Sequence, residues 1–153
     1  MEAFMDDSII KQIHLAAPPE RVWRALSDAA EFGQWFRAEV TGEMREGATV
    51  RCRGLYPGTE HMHWDMRIIA MERLRRLVWE WPAFYPADFP DDPESDAMLT
   101  VEIALAPSGA GTQLTFTESG FAGLPGDHRM TAWRRNEDGW GVQMTNIADH
   151  VAR

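Results

Sequence analysis

The sequence predicts an α+β fold in which an antiparallel sheet wraps one long helix. Three observations carry this. Between residues 39 and 119 apolar side chains recur at every second position, in segments broken by turn residues. Between residues 127 and 151 the period changes: Met130, Trp133, Trp140, Met144, Ile147, Ala148 and Val151 recur at steps of three, four and seven, the stripe of an amphipathic helix. The connections between the two-periodic segments are short, which makes neighbouring strands antiparallel.

Composition bounds the partners. A chain of 153 residues, 44% hydrophobic and 25% charged, fits a single domain spanning residues 1–153 with one sizeable core. The balance of 24 acidic against 15 basic residues gives a net charge of -9, which opposes binding to nucleic acid or to an anionic membrane. No apolar run approaches the ~20 residues that span a bilayer, and Glu2, Asp6 and Asp7 stand where a signal peptide would be basic, so a cytoplasmic location is expected. Cys52 is the single cysteine; an internal disulfide and a thiolate cluster are excluded, and neither a metal nor another cofactor is expected.

Ile9, Ile13 and Leu15 mark a half-buried strand over residues 8–17. Pro18 and Pro19 suit a first helical turn, because the N–H groups they lack would go unbonded there, and Val22, Trp23 and Leu26 supply the apolar side. Asp28 caps a second short helix carrying Phe32, Trp35 and Phe36. Strands follow over 39–44, 49–55, 61–71, 77–81, 98–106 and 112–119. Alternation puts Val50, Cys52, Met66, Ile68, Leu77, Leu99, Val101, Ile103, Leu105 and Leu114 on the covered face together with Trp64, Trp79, Trp81 and Phe116. It leaves Arg51, Arg53, His61, His63, Asp65, Arg67, Glu80 and Glu102 as a ladder of mixed charge on the other face.

The helix over 127–151 is the one element long enough to cover this sheet. Its polar side holds Arg134, Arg135, Asp138, Gln143, Asn146, Asp149 and His150. Gly139 and Gly141 flank Trp140, each costing roughly 1 kcal/mol of helix propensity against alanine. Close approach of another backbone is the preferred explanation, and a bend around a cavity the alternative. The connection from Pro82 to Asp96 is rich in proline and acid and carries Phe84, Tyr85 and Phe89. It is either a solvated insertion or a lid whose aromatic rings meet the rim of a binding site.

The opening Ala16-Ala17-Pro18-Pro19-Glu20-Arg21-Val22-Trp23-Arg24-Ala25-Leu26 with Gln34-Trp35-Phe36 resembles the first motif of the SRPBCC (START-like, helix-grip) superfamily. Arg76 to Trp81, Leu99 to Ile103, Gly111 to Phe121, and Gly139-Trp140 with Met144, Ile147 and Ala148 resemble the subgroup related to the C-terminal domain of the activator of the 90-kDa heat-shock protein ATPase. The resemblance covers nearly the whole chain. It implies a seven-stranded antiparallel sheet gripping the C-terminal helix, two small helices closing one end, and a hydrophobic cavity between sheet and helix. The chain departs from the pattern at the Pro82 to Asp96 insertion and in the polar stretch from Gly123 to Asp138.

Candidate chemistry is sparse. His61, His63 and Asp65 share one side of a strand, but the outer one, where a surface ladder is the better reading than a metal site. Cys52, inward among apolar neighbours, is expected to act as a small hydrophobe. Glu118 has the parity of Leu114 and Phe116, and Glu137 lies near the apolar stripe, so both are candidate cavity carboxylates for proton transfer; otherwise Glu118 ends a strand and Glu137 faces water. Trp64, Met66, Trp79, Trp81, Phe116, Trp133, Trp140 and Met144 make the inner surfaces aromatic and thioether, which suits holding an apolar molecule more than breaking a bond. The expected function is non-enzymatic binding of a hydrophobic or aromatic small molecule. A cyclase-, aromatase- or hydrolase-like activity through a cavity carboxylate is the alternative, followed by the chaperone-activating role that the resemblance implies. A second copy of the chain is carried as a further partner.

Overall fold

A computed structural model describes residues 7–84 and 97–152 of the chain. The elements run β1 (Ser8–Leu15), α1 (Pro19–Ser27), α2 (Ala29–Phe36), β2 (Ala38–Thr41), β3 (Thr49–Gly54), β4 (His63–Glu72), β5 (Arg76–Pro82), β6 (Met98–Ser108), β7 (Gly111–Ser119), a 3-10 turn (Phe121–Gly123) and α3 (Gly126–Val151). The seven strands form one antiparallel sheet in the order β1-β7-β6-β5-β4-β3-β2. From β2 to β7 the sheet is a meander; β1 then joins its far edge, with Ser8 opposite Ser119 and Leu15 opposite Thr112.

Local chemistry accounts for the two short helices. Pro18 and Pro19 open α1, and the Pro18 carbonyl accepts from the backbone N–H groups of Arg21 and Val22. Asp28 ends α1 and caps α2, its Oδ1 accepting from the Glu31 N–H at 3.0 Å. The Trp35 indole N–H donates to the Ala25 carbonyl at 2.8 Å, locking the two helices to each other in a buried environment. Arg37 terminates α2 in the left-handed conformation, φ 64°, and so turns the chain into β2.

The covered face of the sheet holds the core. Val50, Met66, Ile68, Leu77, Trp79, Val101, Ile103 and Leu114 are inaccessible to solvent, and Trp140, Ile147 and Val151 of α3 are buried with them. The register slips between Ile68 and Ala70, and the bulge leaves Ile69 exposed. On the outer face Arg67 pairs with Glu80 at 2.7 Å, and Arg76 bridges Glu72 at 2.8 Å and Glu102 at 3.0 Å.

Two positions of α3 correct the simple stripe. Met130 is exposed, whereas Ala132, two residues further on and outside the expected stripe, is buried. His150, expected on the polar side, is buried in the last turn, where its ring reaches Glu31 of α2. No helix among the described residues is long and apolar enough to cross a membrane.

Candidate functional site

Three indole rings and a carboxylate organise the space between α3 and the sheet. Trp79 and Trp81 alternate along β5 on the covered face, and Trp140 descends on them from α3, its ring 6.0 Å from that of Trp81 and 5.2 Å from Phe116. Phe36, at the end of α2, closes the cluster from the side, 6.0 Å from Trp81 and 6.4 Å from Trp140. Such offset and edge contacts fix ring orientation as well as burying area.

Glu118 lies among them. The parity argument placed it inward, and it is 1% exposed in β7, between Ile9 of β1 and Val101 of β6. Its Oε2 accepts from the Trp81 indole at 2.7 Å, its Oε1 from the Trp140 indole at 2.9 Å, and both from the Asn136 amide at 3.1 Å. Burial pushes its pKa up; the donors from Trp140, Trp81 and Asn136 and the nearby Arg135 charge pull the other way and offset only part. The carboxylate is therefore the node that ties one strand to another and both to the long helix.

In front of this node is a cleft of about 240 Å³, open to solvent and mainly apolar. Its walls are Phe36, Met62, Trp64, Trp81 and Trp140; its polar groups are Arg37, Tyr56, Thr59, Arg135, Asn136 and Gln143, and Gly54 and Gly139 complete it. Some of that polar rim is fixed: the Gln143 amide donates to the Phe36 carbonyl at 2.9 Å, and the Tyr56 hydroxyl accepts from the Asn146 amide at 2.9 Å. Arg135 donates to the Ala83 carbonyl at 2.8 Å.

Gly139 explains a helix-weakening residue in the middle of α3. Close packing does not, because a Cβ added at Gly139 or Gly141 would meet nothing within 4 Å. Gly139 borders the cleft, where its absent side chain leaves room.

The candidate site residues divide accordingly. Trp64, Trp81 and Trp140 line the cleft. Met66, Trp79 and Phe116 lie beneath its walls, each no more than 1% exposed, with Met66 packed against Cys52 at 3.7 Å between sulfurs. Trp133 is turned toward β1, its indole donating to the Ser8 carbonyl at 3.2 Å, and Met144 packs against the core. Glu137 does not join Glu118: it is ion-paired with Lys11 of β1 at 3.0 Å, on the flank of α3. Burial raises the Cys52 thiol to about 12, with Asp65 adding to the effect, so it carries no nucleophilic chemistry. His61, His63 and Asp65 are exposed, and no group of three metal-ligating side chains occurs among the described residues. Of the lid aromatics, Phe84 is buried, its ring 5.6 Å from that of His128; Tyr85 and Phe89 lie outside the described residues.

Sequence reasoning did not find Arg37, Tyr56, Asn136 or Gln143. Asn136 and Gln143 had a usable signal, since they stand four residues before and three after Trp140, on the same side of the helix. Arg37 and Tyr56 had none, because a helix end and the connection between β3 and β4 place them.

Residues 16–152 match the family model described as activator of Hsp90 ATPase homolog 1-like protein. Among solved structures, the Mesorhizobium loti protein MLL2253 superimposes with a TM-score of 0.78 at 20% identity, over 95% of this chain and 97% of that one. The Aha1 dimer from Colwellia psychrerythraea gives 0.70 at 19% identity, over 94% and 95%. CalU16 from Micromonospora echinospora gives 0.67 at 23% identity, over 94% and 75%. No curated protein matches the chain in sequence. At these identities the structural likeness establishes the helix-grip fold.

Proposed function

The chain belongs to the activator of Hsp90 ATPase homolog 1-like family, and on that footing we propose that it binds a small hydrophobic or aromatic molecule in the cleft between the sheet and α3. The observation that carries the reading is the box of Trp64, Trp81 and Trp140 with Phe36 at its side, facing a solvent-open space of about 240 Å³. That volume is just below the ~300 Å³ at which pockets for drug-sized ligands begin, so a ligand of one or two rings suits it. The whole chain, residues 1–153, is taken to act as a single domain in this role.

A proton-transfer activity is the second reading, and it rests on Glu118 alone. Burial raises that carboxyl, as a general acid would need, but Trp81, Trp140 and Asn136 already engage both of its oxygens. Its role in our reading is to hold the cleft walls. A chaperone-activating role is supported by the family description and by no feature of the cleft.

Calorimetric titration of the full chain with 2-naphthamide, a neutral two-ring probe, tests the proposal. Saturable one-to-one binding is expected, and Gly139→Leu, which fills the cleft from the helix side, should abolish it. Binding that is absent, or that persists unchanged in the leucine variant, would remove the cleft from the function.

A further inference from the structure

The charge of the cleft runs against the charge of the protein. Acidic residues outnumber basic ones 24 to 15 overall, yet among the described residues the charged side chains lining the cleft are Arg37 and Arg135, with no carboxylate. Among the described residues, the buried Glu118 is one acid to weigh against them. It stands behind Trp81, Trp140 and Asn136, which donate to it, and Arg135 already acts on its charge.

Arg37 differs from most arginines of this chain. Arg21, Arg24, Arg53, Arg67 and Arg76 each lie within 3.3 Å of a carboxylate. The Arg37 guanidinium has neither an ion pair nor a hydrogen bond among the described residues, although it also borders a polar depression containing Asp149. Its backbone is pinned: its N–H donates to the Gly33 carbonyl, and its own carbonyl accepts from the Leu55 N–H. A fixed helix end thus presents an uncommitted planar fork of donors beside an aromatic box, the geometry that takes a carboxylate by paired hydrogen bonds.

We propose that the cleft selects a small aromatic carboxylate, its ring against Trp64, Trp81 and Trp140 and its carboxylate on Arg37. This rests on the binding function proposed above and adds the class of ligand to it. Salt weakens such a contact at an exposed rim but leaves the ring contacts, so the preference for the acid over a neutral isostere falls as ionic strength rises.

The test is a calorimetric comparison of 2-naphthoate with 2-naphthamide on the full chain, for the native protein, Arg37→Lys and Arg37→Asn. Asparagine is chosen because it tolerates the left-handed conformation of residue 37, and a thermal melt of each variant checks the fold. The native protein is expected to bind naphthoate about tenfold more tightly than naphthamide, the scale of one hydrogen bond to a charged group. Arg37→Asn should erase that ratio, with naphthoate losing more affinity than naphthamide, and Arg37→Lys should retain part of it. Equal affinity for the two probes in the native protein overturns the carboxylate inference and leaves the binding function standing. A preference that survives in Arg37→Asn overturns the role of Arg37, and failure of both probes to bind overturns the inference together with the function beneath it.

Discussion

His150, in the last turn of α3, stands with its Nε2 2.8 Å from Oε1 of Glu31 in α2, across 119 residues of sequence. The same carboxylate accepts from Arg21 at 2.8 Å and from Arg24 at 2.7 Å, so one acidic side chain fastens both short helices to the end of the long one. Burial by itself would raise the Glu31 carboxyl. The hydrogen bonds from His150, Arg21 and Arg24 outweigh it and hold the group at about 2, against an ordinary 4.5.

A folded-state pKa below the unfolded one adds stability that is complete above pH 4.5 and is lost as pH falls toward 2. Since Glu31 is partly exposed, the contribution is about 1–2 kcal/mol after allowance for solvent screening. Glu31→Gln should lower the stability at pH 7 by that amount in urea melts. The gap between the two proteins should close across pH 4.5 to 2; a gap that stays constant would show that the ionised carboxylate is not its source.

Glu118 presents the opposite case. Its folded pKa is raised, so it favours the fold below pH 4.5 and that advantage is lost as pH rises through the folded value. Its removal nonetheless strands the N–H groups of Trp81, Trp140 and Asn136. Glu118→Leu should therefore cost about 3 kcal/mol or more at pH 7, since each buried donor left unmet costs ~1–3 kcal/mol. Glu118→Gln, which keeps one carbonyl acceptor, should cost about 1 kcal/mol. Chemical denaturation followed by tryptophan emission measures both, and a leucine variant as stable as native would remove Glu118 as the structural node.

Gly139 separates stability from binding. Because a Cβ there meets nothing within 4 Å, Gly139→Ala should raise the stability by about 0.5–1 kcal/mol through helix propensity. The added methyl group enters the cleft, so the same variant should bind 2-naphthamide several-fold more weakly, a combination that melting curves and calorimetry read on one preparation.

Cys52 should behave as a chemical reporter of unfolding. With the thiol raised to about 12 by burial, a disulfide reagent at pH 8 is expected to label it only as fast as the sheet opens, and at once in urea. Rapid labelling of the folded protein would show access to the β3–β4 core that the packing denies.

Much of this architecture was legible in the sequence. The alternation that set Leu114, Phe116 and Glu118 on one side of β7 needed only the two-residue period, and the Asp28 cap needed only its position before a helical run. The site was less legible. Trp64, Trp81 and Trp140 could be ranked as inner residues, but inner residues of equal character, such as Trp79 and Phe116, fill the core beneath the cleft, and periodicity cannot tell a wall from the layer behind it. Glu137 lies three residues before Trp140, yet the Lys11 ammonium, distant in sequence, draws it to the flank. His150 was misplaced for a similar reason: its partner Glu31 belongs to another helix.

The pairing of β1 with β7 imposes an order of assembly. The strand made first has its partner, Gly111–Ser119, among the last elements synthesised, while every other strand finds a neighbour close by in the chain. At ~5–20 residues per second, Ile9, Ile13 and Leu15 remain unpaired for roughly 5–20 s after they emerge from the ribosome. Nascent chains halted before Gly111 should be open to proteolysis within residues 8–15, and chains halted after α3 has emerged should resist it. The earliest strand of this sheet is thus among the last to be paired, and until then its apolar side chains depend on whatever in the cell keeps an unfinished chain from aggregating.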